Sequence, residues 1–152
     1  MLTTTQWHRQ QAAALFNLTW TFLDNPTRTP FETDQMIHAA HASRYHWSVV
    51  GEPVNLARGE WQIARVYAVA GLPEASQYHG RRCLELCDAH SLSAFDRACA
   101  YEALARAHAI AGDRAAAGRW LDLGRAMLAS IEDVEDREIA ESDLATVFAE
   151  GS

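Results

Sequence analysis

The stretch Asn55–Gly71, NLARGEWQIARVYAVAG, decides the fold and also carries the residues from which a function can be argued. Apolar and small side chains recur along it at three- and four-residue steps, which is the period of an amphipathic α-helix. Arg58, Trp61 and Arg65 follow one another at i, i+3 and i+7, so they share a different face of the same helix. The packing face consists of Ala57, Ile63, Ala64, Tyr67 and Ala68.

Helical periodicity continues on both sides of this stretch and is interrupted only by Gly, Pro and Asp/Asn turns. No segment keeps the alternation of a strand. The predicted helices run from about residues 4 to 23, 31 to 50, 53 to 71, 73 to 89, 96 to 111, 114 to 130 and 135 to 148, with Thr33 or a neighbour capping the second. Because the turns are short, consecutive helices should be antiparallel.

The hairpins repeat. Three positions recur after 41 residues: a small residue, an aromatic residue or His, and a Gly that ends the first helix of a hairpin. The matched pairs are Ala64 with Ala105, Tyr67 with His108, and Gly71 with Gly112. Two clear copies, a degenerate N-terminal copy and a capping half-copy are typical of a short solenoid.

This pattern resembles the tetratricopeptide-repeat (TPR) family, whose first helices place a small residue, an aromatic three later and a Gly four after that. The resemblance covers residues 53–130, and its period of 41 residues is longer than the 34 usual in that family. It implies an all-α single domain, residues 1–152, built as a short right-handed TPR-like solenoid. We expect hairpins at about 4–50, 53–89 and 94–130 and a C-terminal capping helix at about 135–148.

The resemblance also implies that the first helix of each hairpin lines a concave, partner-binding face. The groove residues it indicates, with the two that flank the stripe, are Asn17, Trp20, Asn55, Arg58, Trp61, Gln62, Arg65, Glu102 and Arg106. Guanidinium groups beside an indole suit a carboxylate. We therefore expect a non-enzymatic module that binds a protein or peptide segment carrying a carboxylate, and Arg65→Glu should abolish binding without unfolding the chain.

Two alternatives remain open. In the first, Arg58 and Arg65 pair with Glu60, Glu102 or Asp24 on a solvated face, and Trp61 belongs to the core. This alternative makes the Arg and Trp stripe a structural feature, with no ligand to explain it.

The second alternative is a small-molecule or metal pocket, catalytic in one version, between helix two and the Arg58, Trp61 and Arg65 stripe. His38 and His41 are one helical turn apart and could chelate one ion, with Arg44 nearby. Such a site would need a further ligand from an adjacent helix, Glu60 or His79 for example. Because packed or surface histidines beside Tyr45 and Trp47 explain helix two more simply than a metal site does, we predict no cofactor and no catalytic residue.

The distribution of charge along the chain argues against one class of partner, the nucleic acids. The formal net charge is −7; residues 1–129 balance twelve Arg against twelve acids, whereas residues 130–152 hold eight acids and one Arg. The chain thus lacks the basic face that nucleic-acid binding needs. The acidic segment is either the polar side of the capping helix or a docking tail.

No apolar run approaches the ~20 residues of a membrane span, and the N-terminus lacks the pattern of a secretory signal. Three cysteines fit a reducing compartment. Cys83 and Cys87 should pack in a helix seam, while Cys99 occupies the repeat position of Arg58 and should face the groove. We therefore expect a cytoplasmic protein, and self-association through apolar end surfaces as a homodimer is a further hypothesis.

Overall fold

The structure, a computed structural model of the chain, describes residues 1–149, and these form seven α-helices with no strand. The all-α hairpin architecture predicted from the sequence is confirmed. The helices are α1 (Thr4–Leu23), α2 (Pro30–Val50), α3 (Pro53–Val69), α4 (Pro73–His90), α5 (Ala94–Ile110), α6 (Arg114–Met127) and α7 (Val134–Ala145), with a 3-10 turn at Leu128–Ser130. Among these residues no helix is both long and apolar enough to cross a membrane.

The starts of the helices follow from capping chemistry. Thr29, rather than Thr33, caps α2: its hydroxyl accepts from the Glu32 backbone N–H, and the Glu32 carboxylate accepts from the Thr29 backbone N–H. This reciprocal capping box satisfies two N–H groups that the helix leaves without intrahelical partners. Pro30 then occupies the first helical turn, where its missing N–H costs nothing. Thr3 and Gln6 form the same box at α1.

The ends of α3 and α5 are built alike, 41 residues apart. Gly71 and Gly112 have φ values of +77° and +83°, a region that residues with a Cβ rarely enter. The same backbone hydrogen bond closes both ends: Leu72 N to Tyr67 O at 2.9 Å, and Asp113 N to His108 O at 3.0 Å. The repeat read from the sequence therefore appears as a repeated helix end.

Neighbouring helices pack in order along the chain. α1 packs on α2, α3 on α4 and α5 on α6, and each hairpin contacts the next. The first helices of successive hairpins also touch one another, as α1 with α3 and α3 with α5, and α7 continues the row beside α5. The core between them consists mainly of apolar side chains, many of them alanine. Met36, Ile63 and Leu104 are the larger members and are almost completely buried. Four helices, α1, α3, α5 and α7, consequently line one side of the molecule.

A buried arginine on α5 binds the C-terminal end of the last helix, α7. Arg106, 1% exposed, donates from Nη2 to the Asp143 carbonyl at 2.9 Å and to Thr146 Oγ1 at 2.8 Å. Cationic donors are favourable at a helix C-terminus, where carbonyl groups lack intrahelical partners. The helix ends at Ala145, three residues before the predicted Phe148, and the chain continues as a turn.

Candidate functional site

Positions spaced by 41 residues come together on the side lined by the first helices. The rings of Trp20 on α1 and Trp61 on α3 lie 5.5 Å apart, centroid to centroid. Trp61 Nε1 in turn donates to Glu102 Oε2 on α5 at 3.0 Å. Trp20, Trp61 and Glu102 thus form a column that runs across three hairpins.

A cavity of about 300 Å³ lies beside this column. We call it the aromatic cavity. Its walls are apolar and come from five helices, with three charged side chains among them. The lining residues are Phe16, Trp20, Ala57, Arg58, Trp61, Cys83, Phe95, Asp96, Cys99, Ile139 and Asp143.

Arg58 stands at the solvent side of the aromatic cavity. Its side chain is 53% exposed, and its Nε donates to Asp96 Oδ1 at 2.9 Å. The guanidinium carbon lies 5.8 Å from the centre of the Phe95 ring. Asp96, itself buried, also accepts from Ser93 Oγ at 2.9 Å. Only Nε of Arg58 has a hydrogen-bond partner within residues 1–149, so its terminal nitrogens face water.

Arg65 has a different environment, because its guanidinium is paired with carboxylates inside the protein. Its Nη2 lies 2.6 Å from Glu102 Oε1 and 3.6 Å from Asp143 Oδ1, and its side chain is 12% exposed. Glu102, 2% exposed, also accepts from Arg106 Nε at 2.9 Å. Burial alone would raise the pKa of Glu102, but Arg65 and Arg106 lower it below its ordinary value.

The pairing stated as an alternative from the sequence is present for Arg65 and Glu102, but it lies inside the protein and not on a solvated face. Arg58 is also paired, though with Asp96 instead of Glu60 or Asp24. Trp61 combines both roles, since its ring packs beside the α4 core and lines the aromatic cavity. The expectation that Arg65→Glu leaves the fold intact no longer holds, because the new carboxylate would face Glu102 and Asp143.

Three further residues selected from the sequence have separate roles. Asn55 caps α3, its Oδ1 accepting from the Glu52 N–H at 2.9 Å. Gln62 is buried and ties α3 to α1, donating from Nε2 to the Phe16 carbonyl at 3.0 Å. Asn17 is exposed on α1. Of these three, Asn17 is the most exposed, Asn55 is half-buried and Gln62 is buried.

The acidic face of α7 adjoins the aromatic cavity. Glu135, Glu138 and Ser142 border a shallow depression that shares Ile139 and Asp143 with the cavity. Burial and the neighbouring Glu102 carboxylate raise the pKa of Asp143, and the Arg65 guanidinium compensates in part. Three acids of the C-terminal segment, Glu135, Glu138 and Asp143, therefore lie at the rim of the site.

A second polar cluster occupies the opposite side of α3. His41 Nε2 and Tyr67 Oη lie 2.8 Å apart, His79 Nδ1 and Glu60 Oε2 lie 2.6 Å apart, and Arg44 Nε donates to Glu60 Oε1 at 3.2 Å. The Tyr67 and His79 rings stack with centroids 5.6 Å apart. Burial and the nearby His79 lower the pKa of His41.

This cluster does not meet the Arg58 stripe. Residues 60 and 67 point about 180° away from residues 58 and 65 at ~100° per residue. The helix-two residues and the stripe therefore do not share one pocket. His38 is exposed rather than part of the cluster, and within residues 1–149 no three His, Cys, Asp or Glu side chains are arranged as a metal site.

Several cavity residues were not found from the sequence. Phe95, Ile139 and Asp143 lie outside the quoted motifs, and neither a capping role nor a docking tail for the acidic segment predicts that α7 lines a cavity. The 41-residue shift did indicate part of the site, since it relates Trp20 to Trp61 and places Cys99 at the groove. No comparable signal gives the register of α7 against α5.

The fold and the cavity together define a class: an all-α stack of helical hairpins with an aromatic-walled cavity on the side lined by the first helices. The chain was compared with models of known families, with curated proteins and with solved structures, and none of the three comparisons found a match.

Proposed function

We propose that the chain is a non-enzymatic, TPR-like helical-repeat module that binds a segment of another protein in the groove formed by α1, α3, α5 and α7. The observation that carries this proposal is the aromatic cavity. Its volume of about 300 Å³ is at the low end of the range of ligand pockets, roughly 300–1,000 Å³. That size suits one bulky apolar side chain of a partner.

The composition of the walls favours recognition over catalysis. Tryptophan and other aromatic side chains supply much of the binding energy at protein interfaces. Trp20, Trp61 and Phe95 present such surfaces in one place. The buried ion pairs behind them, between Arg65 and Glu102 above all, fix the walls in position. An anchor side chain would therefore enter a site that is already shaped.

The proposal is tested by selecting peptides from a displayed random library against the wild-type chain and measuring their affinity for two variants. Trp20→Ala removes a cavity wall, whereas Trp7→Ala removes an equally large ring from the same helix, 45% exposed and outside the cavity. We expect Trp20→Ala to weaken binding at least tenfold and Trp7→Ala to leave it within twofold.

Circular dichroism melting establishes that both variants are folded. Failure to enrich any peptide, or equal losses in the two variants, would contradict a binding site at the aromatic cavity.

A further inference from the structure

We propose that the segment bound in the groove is basic: it places an apolar anchor in the aromatic cavity and lysine or arginine residues against the acidic face of α7. This inference rests on the proposed function of the groove. It replaces the carboxylate-bearing partner expected from the Arg-rich stripe with one of opposite charge.

The arginines whose spacing indicates an anionic partner are paired within the protein. Arg65 and Arg106 both contact Glu102, and Arg65 also lies 3.6 Å from Asp143. Two guanidinium charges thus face two carboxylates inside the protein. These arginines therefore contribute little net positive field at the groove.

The charge that remains at the surface of the site is negative. The residues that line the aromatic cavity and the adjoining depression include four carboxylates and one guanidinium; with Asp143 already set against Arg65, the others leave a formal charge of −2. The guanidinium is that of Arg58, which already pairs with Asp96. The carboxylates are Asp96, Glu135, Glu138 and Asp143. Charge complementarity therefore favours a cationic partner.

Asp143 links the two parts of the site, because it lines both the cavity and the depression. Its side chain is 28% exposed, and burial together with Glu102 raises its pKa. A cation bound nearby would stabilise its ionised form, so binding should strengthen as the pH rises through the Asp143 pKa. The Trp20 ring in the same cavity also attracts ammonium and guanidinium groups, whereas the Trp61 ring already has the Arg65 guanidinium 5.6 Å from its centre.

The test uses three synthetic peptides with blocked ends that share the apolar anchor found by peptide selection and differ only in their flanks, which are all Lys, all Gln or all Glu. Affinity is measured by fluorescence anisotropy at about 0.05 M and about 0.5 M salt. The Lys-flanked peptide should bind at least tenfold more tightly than the Gln-flanked one at low salt. Most of this advantage should disappear at high salt, where charges are screened within a few ångströms.

A pair of double variants assigns the effect to α7. Glu135→Gln with Glu138→Gln should reduce the Lys advantage to threefold or less and leave the Gln-flanked peptide unaffected. Glu74→Gln with Asp122→Asn, which changes two exposed acids on α4 and α6, is the matched control and should preserve the advantage.

The outcomes separate the two proposals. Equal affinity of the three peptides, or tightest binding of the Glu-flanked one through Arg58, overturns the basic-partner inference and leaves the groove as the binding site. If Trp20→Ala binds the peptides as tightly as the wild-type chain does, the proposed function is overturned, and the inference with it.

Discussion

At the scale of a single residue, Glu102 shows how a buried polar side chain connects neighbouring hairpins. It lies 41 residues after Trp61 and accepts hydrogen bonds from Trp61, Arg65 and Arg106. An almost fully buried carboxylate is tolerable only when cations and donors surround it, because isolated burial of a charge is costly. The arginine side chains of α3 and α5 therefore stabilise the stack of hairpins.

Arg65→Glu should lower the free energy of unfolding by about 3–5 kcal/mol, the usual cost of breaking a buried ion pair. The substituted carboxylate would lie beside Glu102 and Asp143, and three carboxylates would then share a site with one fewer cation. Urea denaturation measures the change.

Arg81→Glu, an exposed charge reversal on α4, serves as the control and should stay within about 0.5 kcal/mol of wild type. If the Arg65 variant is as stable as this control, the buried network does not hold the hairpins together.

His41 should make stability depend on pH near neutrality. Its pKa in the folded protein is lowered from 6.5 by burial and by His79, so between the two values the unfolded chain binds more protons than the folded one. Stability must then rise with pH across this window and fall as the pH drops below about 6.5. The His41→Gln variant should show a shallower rise between about pH 5 and pH 7.

The residual slope in that variant comes from His46 and His108, whose pKa values burial also lowers. His90→Gln, at an exposed histidine in the last turn of α4, provides the comparison, and its stability should rise more steeply with pH than that of His41→Gln. Urea midpoints measured across the pH range give both slopes, and identical curves for the two variants would refute the role assigned to His41.

At the level of elements, helix ends were more predictable than helix contacts. Gly71 and Gly112 end their helices with positive φ, and capping residues set the starts to within a residue or two, since these signals are local in sequence. The contacts of α7 depend on Arg106 and on Gly124, where an added Cβ would lie 2.7 Å from Leu144 Cδ2. Such contacts between distant segments leave no spacing pattern to read.

Two glycine substitutions in the hairpin of α5 and α6 separate the strain at a helix end from the effect of helix propensity. Gly112→Ala should destabilise the chain by about 1 kcal/mol because its φ of +83° strains a residue with a Cβ. Gly118→Ala lies inside α6 with no atom near the added methyl group, and it should stabilise by about 0.5–1 kcal/mol through better helix propensity.

Thermal melting of the two variants tests both signs together. Stabilisation by Gly112→Ala would contradict the left-handed helix end that defines the repeat boundary.

For the whole molecule, the sequence predicted the hairpin order and the face that carries Trp20, Trp61 and Arg58. It did not distinguish residues that face the groove from those that face a neighbouring helix. Gln62, for example, lies next to Trp61 yet donates to the Phe16 carbonyl of α1. The partner of a polar side chain at such a boundary is set by three-dimensional packing and not by helical period.

The central claim, that the aromatic cavity binds a peptide segment, is tested most directly by the indole N–H signals of the five tryptophans in a nitrogen–proton correlation spectrum. Trp20 and Trp61 line the cavity, whereas Trp7, Trp47 and Trp120 do not. Single Trp→Phe variants assign the signals. On titration with a selected peptide, we predict saturable shifts for Trp20 and Trp61 and none for the other three; saturable shifts confined to Trp7, Trp47 or Trp120 would place the binding site elsewhere and contradict the account.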